Sequence, residues 1–268
     1  MFIDTHTHPR LLQSQLLKKK QQHMSLDDIV TTLYDPFVQK FVAIGVDTSD
    51  TPVHASLSEK HAACYFCIGI HPCDVEVVNV NDLEQLANDV SFYKQTNNKL
   101  VGIGETGLDF YHNLHDHHIK QQYDYFHAHI NIAIQNNLPL VIHSRESLQE
   151  VYRYLRQYKG AIKGVIHCFE GSLELAKQFI DIGFFLGIGG RITYPLATDL
   201  KETVAKIGIS YIVSETDTPF LPLFEKKGTI NTAESIPSII KEIAQIAKTP
   251  YESTCEIIKA NCKTLFNW

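Results

Sequence analysis

The 268-residue chain contains no run of about 20 apolar residues, the length that spans a bilayer, so no membrane-spanning segment is expected. It opens Met1-Phe-Ile-Asp-Thr-His6, without a basic stretch leading into an apolar one, so a secretory signal is not expected. A positive excess is also missing: 24 Lys and Arg face 30 Asp and Glu, for a net charge of −6. That balance argues against a broad basic surface for duplex DNA. It leaves phosphate substrates open, because bound divalent metals change the local field without changing the count. Glycine (14) and proline (10) are scattered without a period, which excludes a collagen-like polymer. With 44% hydrophobic and 20% charged residues, a disordered chain is excluded as well.

No Pro/Ser/Gly linker, low-complexity tract or internal repeat divides the chain, so residues 1–268 read as one domain. The six cysteines (Cys64, Cys67, Cys73, Cys168, Cys255 and Cys262) are spread along a chain large enough to build its own core. Without a signal, reduced thiols in a cytoplasmic protein are expected. Cys64 and Cys67 form a CxxC, but inside the apolar run 64–70, whereas a redox pair belongs at a helix start.

What the chain does have is alternation. Short apolar or β-branched runs recur at 1–5, 41–46, 65–70, 100–104, 139–142, 164–166, 184–188 and 211–213. Most lack in/out alternation, as parallel strands covered by helices do. Helical patterns lie between them at 81–96, 116–137, 147–158, 173–182, 197–207, 234–247 and 251–266. Ser25-Leu-Asp-Asp28 opens a further helix with a capping-box pattern. Eight strand–helix units predict an α/β fold, a single-domain (β/α)8 TIM barrel. A doubly wound sheet is the alternative, but eight regular units fit closure better.

Barrel sites are built at the C-terminal ends of strands. His6 and His8 follow the first run and His71 the third. Glu105 ends the fourth, His143 and Arg145 follow the fifth, and His167 the sixth. Glu215 and Asp217 follow the eighth. Four of these His, at the first, fifth and sixth strand ends, and two acids, at the fourth and eighth, are hard to explain by packing, because burying them is costly without a compensating charge. Divalent cations would supply that charge. Of three HxH patterns, only His6/His8 lies in an extended segment, where i and i+2 point the same way. His115/His117 and His127/His129 fall at or in a predicted helix, where i and i+2 diverge, and are read as solvated surface.

Two competing motifs are weaker. Gly102-Ile-Gly-Glu-Thr-Gly107 matches GxGxxG, but the aromatic stretch 108–112 follows it, not the helix start that a dinucleotide site needs. His143-Ser144 and His167-Cys168 are adjacent pairs, whose side chains point to opposite faces of an extended segment, so neither forms a simple nucleophilic dyad.

The motifs together resemble the TatD family of metal-dependent hydrolases and deoxyribonucleases, within the amidohydrolase-like barrels. The matching pieces are Asp4-Thr-His-Thr-His8, Gly69-Ile-His-Pro72, Gly102 to Tyr111, Ile142-His-Ser-Arg145, His167-Cys-Phe-Glu-Gly171, Glu215-Thr-Asp-Thr-Pro219 and Asn261-Cys-Lys-Thr-Leu-Phe266. They appear in the family's order along the whole chain. The resemblance implies two divalent ions (Mg²⁺, Mn²⁺ or Zn²⁺) held by His6, His8, Glu105, His143, His167 and Asp217. Glu105 would bridge them, with His6, His8 and Asp217 on one ion and His143 and His167 on the other. Asp217 is the candidate general base. His71, Arg145 and Tyr111 are candidate substrate contacts, and Glu215 a group that orients a His or a water. The loop after Asp217 departs from the family pattern: Asn231 is followed by Thr232 and Ala233, with Pro237 only later.

Three functions follow. One is a phosphodiesterase trimming 3′ ends of single-stranded DNA, with Phe110, Tyr111, Tyr194, Phe220 and Phe224 stacking bases at the mouth. Another is a hydrolase of a different ester or amide, such as a D-aminoacyl-tRNA deacylase. The third is a metal-binding protein buffering ions with the His-rich segment 112–129. The complete ligand set favours the first.

Overall fold

In a computed structural model of the chain, the structure describes residues 2–20, 22–75, 80–112 and 115–268. Met1, where the first strand was expected to begin, lies outside them. The strands are β1 (Phe2–Thr7), β2 (Val38–Ile44), β3 (Cys64–Ile68), β4 (Leu100–Asp109), β5 (Leu140–Arg145), β6 (Gly164–Ile166), β7 (Phe184–Ile188) and β8 (Ile212–Ser214). They pair in sequence order as one parallel sheet. Helices or helical turns lie between consecutive strands, as the alternation predicts.

β8 meets β1 through specific bonds. The Thr5 hydroxyl donates to the Ser214 carbonyl, and the Ser214 hydroxyl donates back to the Ile3 carbonyl. Beyond the strand end, Asp217 N–H donates to the His6 carbonyl and His8 N–H to the Thr218 carbonyl. The seam therefore joins the first and last functional segments directly.

Two strands run further than their apolar runs suggest. β4 continues five residues past 104, and β5 continues to Arg145. The β4–β5 register shifts between Ile103 and Thr106, an irregularity of the kind that re-aims a side chain, and Glu105 sits inside it. Gly104 has φ +153°, and a Cβ there would lie 2.5 Å from the Val141 carbonyl oxygen, so only glycine fits beside Glu105.

The helices pack by one face. Asp116–Asn136 buries Gln122, Tyr125, Phe126, His129, Ile130, Ile132 and Ala133 against the barrel. Ile134 is exposed, and the buried face runs along 122, 126, 129 and 133. His129 is therefore core, not solvated surface, whereas His127 is exposed as expected. Ser25 caps Leu26–Ile29 with the expected capping box to Asp28. Two helices absent from the sequence reading, Pro9–Lys20 and Asp50–Lys60, complete the outer layer after β1 and β2.

Candidate metal centre

The first segment is fixed by Asp4. This fully buried carboxylate accepts Thr216 N–H and His6 N–H on one oxygen and the Thr216 hydroxyl on the other. It therefore ties the HxH segment of β1 to the loop after β8. Burial pushes its carboxyl up to about 7, against those hydrogen bonds. Asp217, the residue after the clamped Thr216, has φ +58°, a conformation a non-glycine residue holds only when its surroundings impose it.

At the mouth, His6 and His8 bring Nε2 to Nε2 at 3.1 Å. Glu105 Oε2 lies 3.3 Å from His6 Nε2 and 3.6 Å from His8 Nε2. Asp217 Oδ1 lies 3.8 Å, 3.4 Å and 3.7 Å from Nε2 of His6, His8 and His167. The His167 ring stacks on His6, with centroids 3.4 Å apart. The other oxygen of Glu105 faces away from this group. Oε1 is 3.0 Å from His143 Nδ1 and 3.7 Å from His71 Nε2. The Glu105 carboxylate thus stands between two sets of donors.

The resemblance pairs His143 with His167. The structure puts His143 with His71 and Glu105, and His167 with His6, Glu105 and Asp217; among the described residues no donor cluster contains both His143 and His167. His71 Nε2 stands 3.2 Å from His143 Nδ1, among the donors.

Burial opposes charge on Glu105, but His6, His71 and His143 outweigh it and hold its carboxyl well below the usual range. Asp217 is also depressed: burial raises it, and His167, His8 and His6 lower it more. Burial, with His143 beside it, pushes His71 down to about 3. A buried carboxylate, Glu105, and a mostly buried one, Asp217, are therefore ionised side by side, and they need positive compensation. The donor chemistry fits a divalent ion. His8 Nδ1 lies 3.1 Å from the Ile44 carbonyl oxygen and donates there, which leaves Nε2 facing the cluster. Two imidazole nitrogens and two carboxylate oxygens converge, a set that suits Zn²⁺, Mn²⁺ and related ions.

Glu215 sits behind this group. Its Oε1 is 3.0 Å from His167 Nδ1 and accepts Cys168 N–H at 2.6 Å. Gly187 makes the space, since a Cβ there would lie 2.2 Å from Glu215 Oε2. Sequence reasoning missed Asp109. This buried carboxylate reaches His143 Nε2 at 3.0 Å from the far end of β4. Its signal was its place in the motif ending at Tyr111; the expected strand end at 104 hid it.

At the rim the Arg145 guanidinium lies 4.0 Å above the Tyr111 ring. No carboxylate among the described residues pairs with Arg145. Phe220 and Phe224 are exposed, and Phe220 meets the His8 ring edge-on at 6.4 Å. Asn231, in the divergent last loop, is buried. Its amide donates to the Thr216 and Leu221 carbonyls, and its oxygen accepts from Ser235 and Thr232. The loop is braced from within despite lacking the nearby proline. Gly102 and Gly104 of the GxGxxG pattern lie inside β4, and the next helix starts only at Asp116, so no helix N-terminus opens on them.

A parallel eight-stranded barrel with imidazoles and carboxylates gathered at its C-terminal mouth is the architecture of a metal-dependent hydrolase. A family model described as TatD related DNase matches residues 3–267, and the chain belongs to that family. The uncharacterized metal-dependent hydrolase YabD of Bacillus subtilis is 29% identical over 269 residues, covering 99% of each chain. The crystal structure of YjjV, a TatD homolog from Escherichia coli, superposes with a TM-score of 0.87 at 26% identity, covering 100% of this chain and 98% of that one. A TatD family hydrolase from Entamoeba histolytica shares the fold at a TM-score of 0.83 and 19% identity, over 99% and 97% of the two chains. Among the described residues, no helix is long and apolar enough to cross a membrane.

Proposed function

We propose that this hydrolase is a deoxyribonuclease that removes nucleotides from the 3′ ends of single-stranded DNA. The observation that carries the reading is the Glu105 carboxylate, whose two oxygens face two separate donor groups. Two divalent ions bound there (Mg²⁺, Mn²⁺ or Zn²⁺) would polarise a phosphoryl oxygen and lower the pKa of an attacking water. In the arrangement the resemblance implies, His6, His8 and Asp217 would hold one ion and His143 and His167 the other, with Glu105 shared; in the structure His167 stands on the first side, 3.7 Å from Asp217 Oδ1.

The chain's own residues do the rest. Asp217 is ionised and its Oδ1 faces the mouth donors, so it accepts the proton of the attacking water. Glu215 holds His167 in orientation through Nδ1. Arg145 offers a planar fork to phosphate oxygens, pre-set by stacking on Tyr111. His71, beside Glu105 and His143, is a further candidate substrate contact. Phe220, Phe224 and Tyr194 offer ring faces to unpaired bases, which suits a single strand on a protein of net charge −6. The six free thiols fit a cytoplasmic setting.

The test is a comparison of substrates. Single-stranded oligonucleotides labelled at the 5′ or the 3′ end are offered beside a D-aminoacyl-tRNA, each with Mg²⁺, Mn²⁺ or Zn²⁺. The expected result is a 5′-labelled ladder shortening from the 3′ end. Ester cleavage with intact DNA would instead assign the centre to a deacylase.

A further inference from the structure

The mechanism leaves one cluster unused. Cys73, in the loop after β3, meets Asp109 and His112, at and beyond the end of β4. Cys73 Sγ lies 3.7 Å from His112 Nδ1, and His112 Nδ1 lies 3.1 Å from Asp109 Oδ2. The three donors all fall within 4.8 Å of one another. From the geometry we infer a separate binding site for a transition-metal ion of the zinc class, held by Cys73, Asp109 and His112 beside the main cluster.

Donor spacing supports it. Bond lengths of roughly 2.0–2.1 Å to N and O and 2.3 Å to S at tetrahedral angles put N and O about 3.3 Å apart. The same geometry puts S and N about 3.6 Å apart. The observed separations bracket these values.

The donors are also pre-positioned. Gln122 clamps the Asp109 backbone, accepting its N–H at 2.8 Å and donating to its carbonyl at 3.0 Å. Asp109 Oδ1 accepts the N–H groups of Tyr111 and His112. Cys73 N–H donates to His71 Nδ1 at 3.1 Å, which holds the thiol's backbone in place. A carboxylate has about four lone-pair sites. Two go to these N–H groups and one to His143 Nε2, and the remaining one points at His112 and Cys73. Soft sulfur beside imidazole and carboxylate favours Zn²⁺ or Co²⁺ over Mg²⁺. His112 is half exposed.

The inference stands on these residues and not on the nuclease reading, and its test is optical. The metal-stripped full-length protein is titrated with Co²⁺ and followed by absorption and by bound-metal stoichiometry. The donors assigned to the main cluster are nitrogen and oxygen, so a near-ultraviolet sulfur-to-cobalt charge-transfer band reports a cysteine ligand, with Cys168 the competing thiol beside His167 and Asp217. The expected result is that band in the wild type. It should be lost, with one Co²⁺ per chain, in Cys73→Ser, and kept in Cys168→Ser, whose thiol lies near His167 and Asp217. His112→Ala, at a half-exposed position, should weaken Co²⁺ binding and the band together. Absence of the band, its survival in Cys73→Ser, or unchanged binding in His112→Ala would overturn the site. A DNA substrate that is not cleaved would leave all three readouts intact.

Discussion

His129, midway along the helix Asp116–Asn136, accepts the backbone N–H of Ile70 on Nε2 at 2.9 Å. Its Nδ1 donates to the Tyr125 carbonyl at 2.7 Å. The neutral tautomer is therefore fixed, and the ring anchors the backbone that presents His71. Burial pushes His129 down to about 4, against the Tyr125 bond. A depressed folded value means the unfolded chain binds the proton first. The contribution is fully present above pH 6.5 and is lost as pH falls toward 4. Between pH 7 and pH 5 the loss should be about 2 kcal/mol from this residue. Urea unfolding of wild type and His129→Gln at both values checks it, and the variant should show the smaller drop.

Gly187 gives Glu215 its place, so Gly187→Ala should push the Glu215 carboxylate off His167 and the Cys168 N–H. Groups that orient a ligand typically carry about 10–100-fold in affinity or activity. Metal affinity by competition with a chelator, and turnover, should both fall by that order. The circular-dichroism spectrum should keep its native shape.

Arg145 and Tyr111 should act as a pair. Arg145→Lys keeps the charge but removes the planar fork and the stacking, so KM should rise roughly tenfold with little change in kcat. Tyr111→Ala should raise KM less. A double-mutant cycle should give a coupling of about 0.5–1 kcal/mol, as for a partly exposed cation–π pair.

Removing metal should destabilise the fold as well as the activity, because buried Glu105 and mostly buried Asp217 stand together among imidazoles. At a metal concentration of about 100 Kd, readdition should contribute about 2.7 kcal/mol. Thermal melts with and without chelator should then differ by roughly 5–10 °C. Asp217→Asn should shrink that difference.

The barrel was legible because its strands are short apolar runs between polar turns, and the strand-end His and Glu residues followed from that. Helix Pro9–Lys20 was not, because it buries only Pro9, Leu12 and Leu16 among polar neighbours. Helix Asp50–Lys60 buries Thr51, His54 and Ser58 beside Ala55 and Leu57, a face with little hydrophobic contrast. His129 was misplaced because its HxH spacing was judged as a chelate, while its burial depends on the face shared with Gln122, Phe126 and Ala133. Asp4 and Asp109 stand inside matched motifs, but nothing in the sequence shows what they bind. Their roles come from the seam between β1 and β8 and from the extension of β4, both of which are tertiary.

The most direct test is digestion of end-labelled single-stranded DNA by the purified protein with Mg²⁺, Mn²⁺ or Zn²⁺, with EDTA, and with Asp217→Asn. The account predicts nucleotide release that needs a divalent ion, stops in EDTA and falls by orders of magnitude in the variant. Intact DNA under every metal, with metal bound at the cluster, would contradict it.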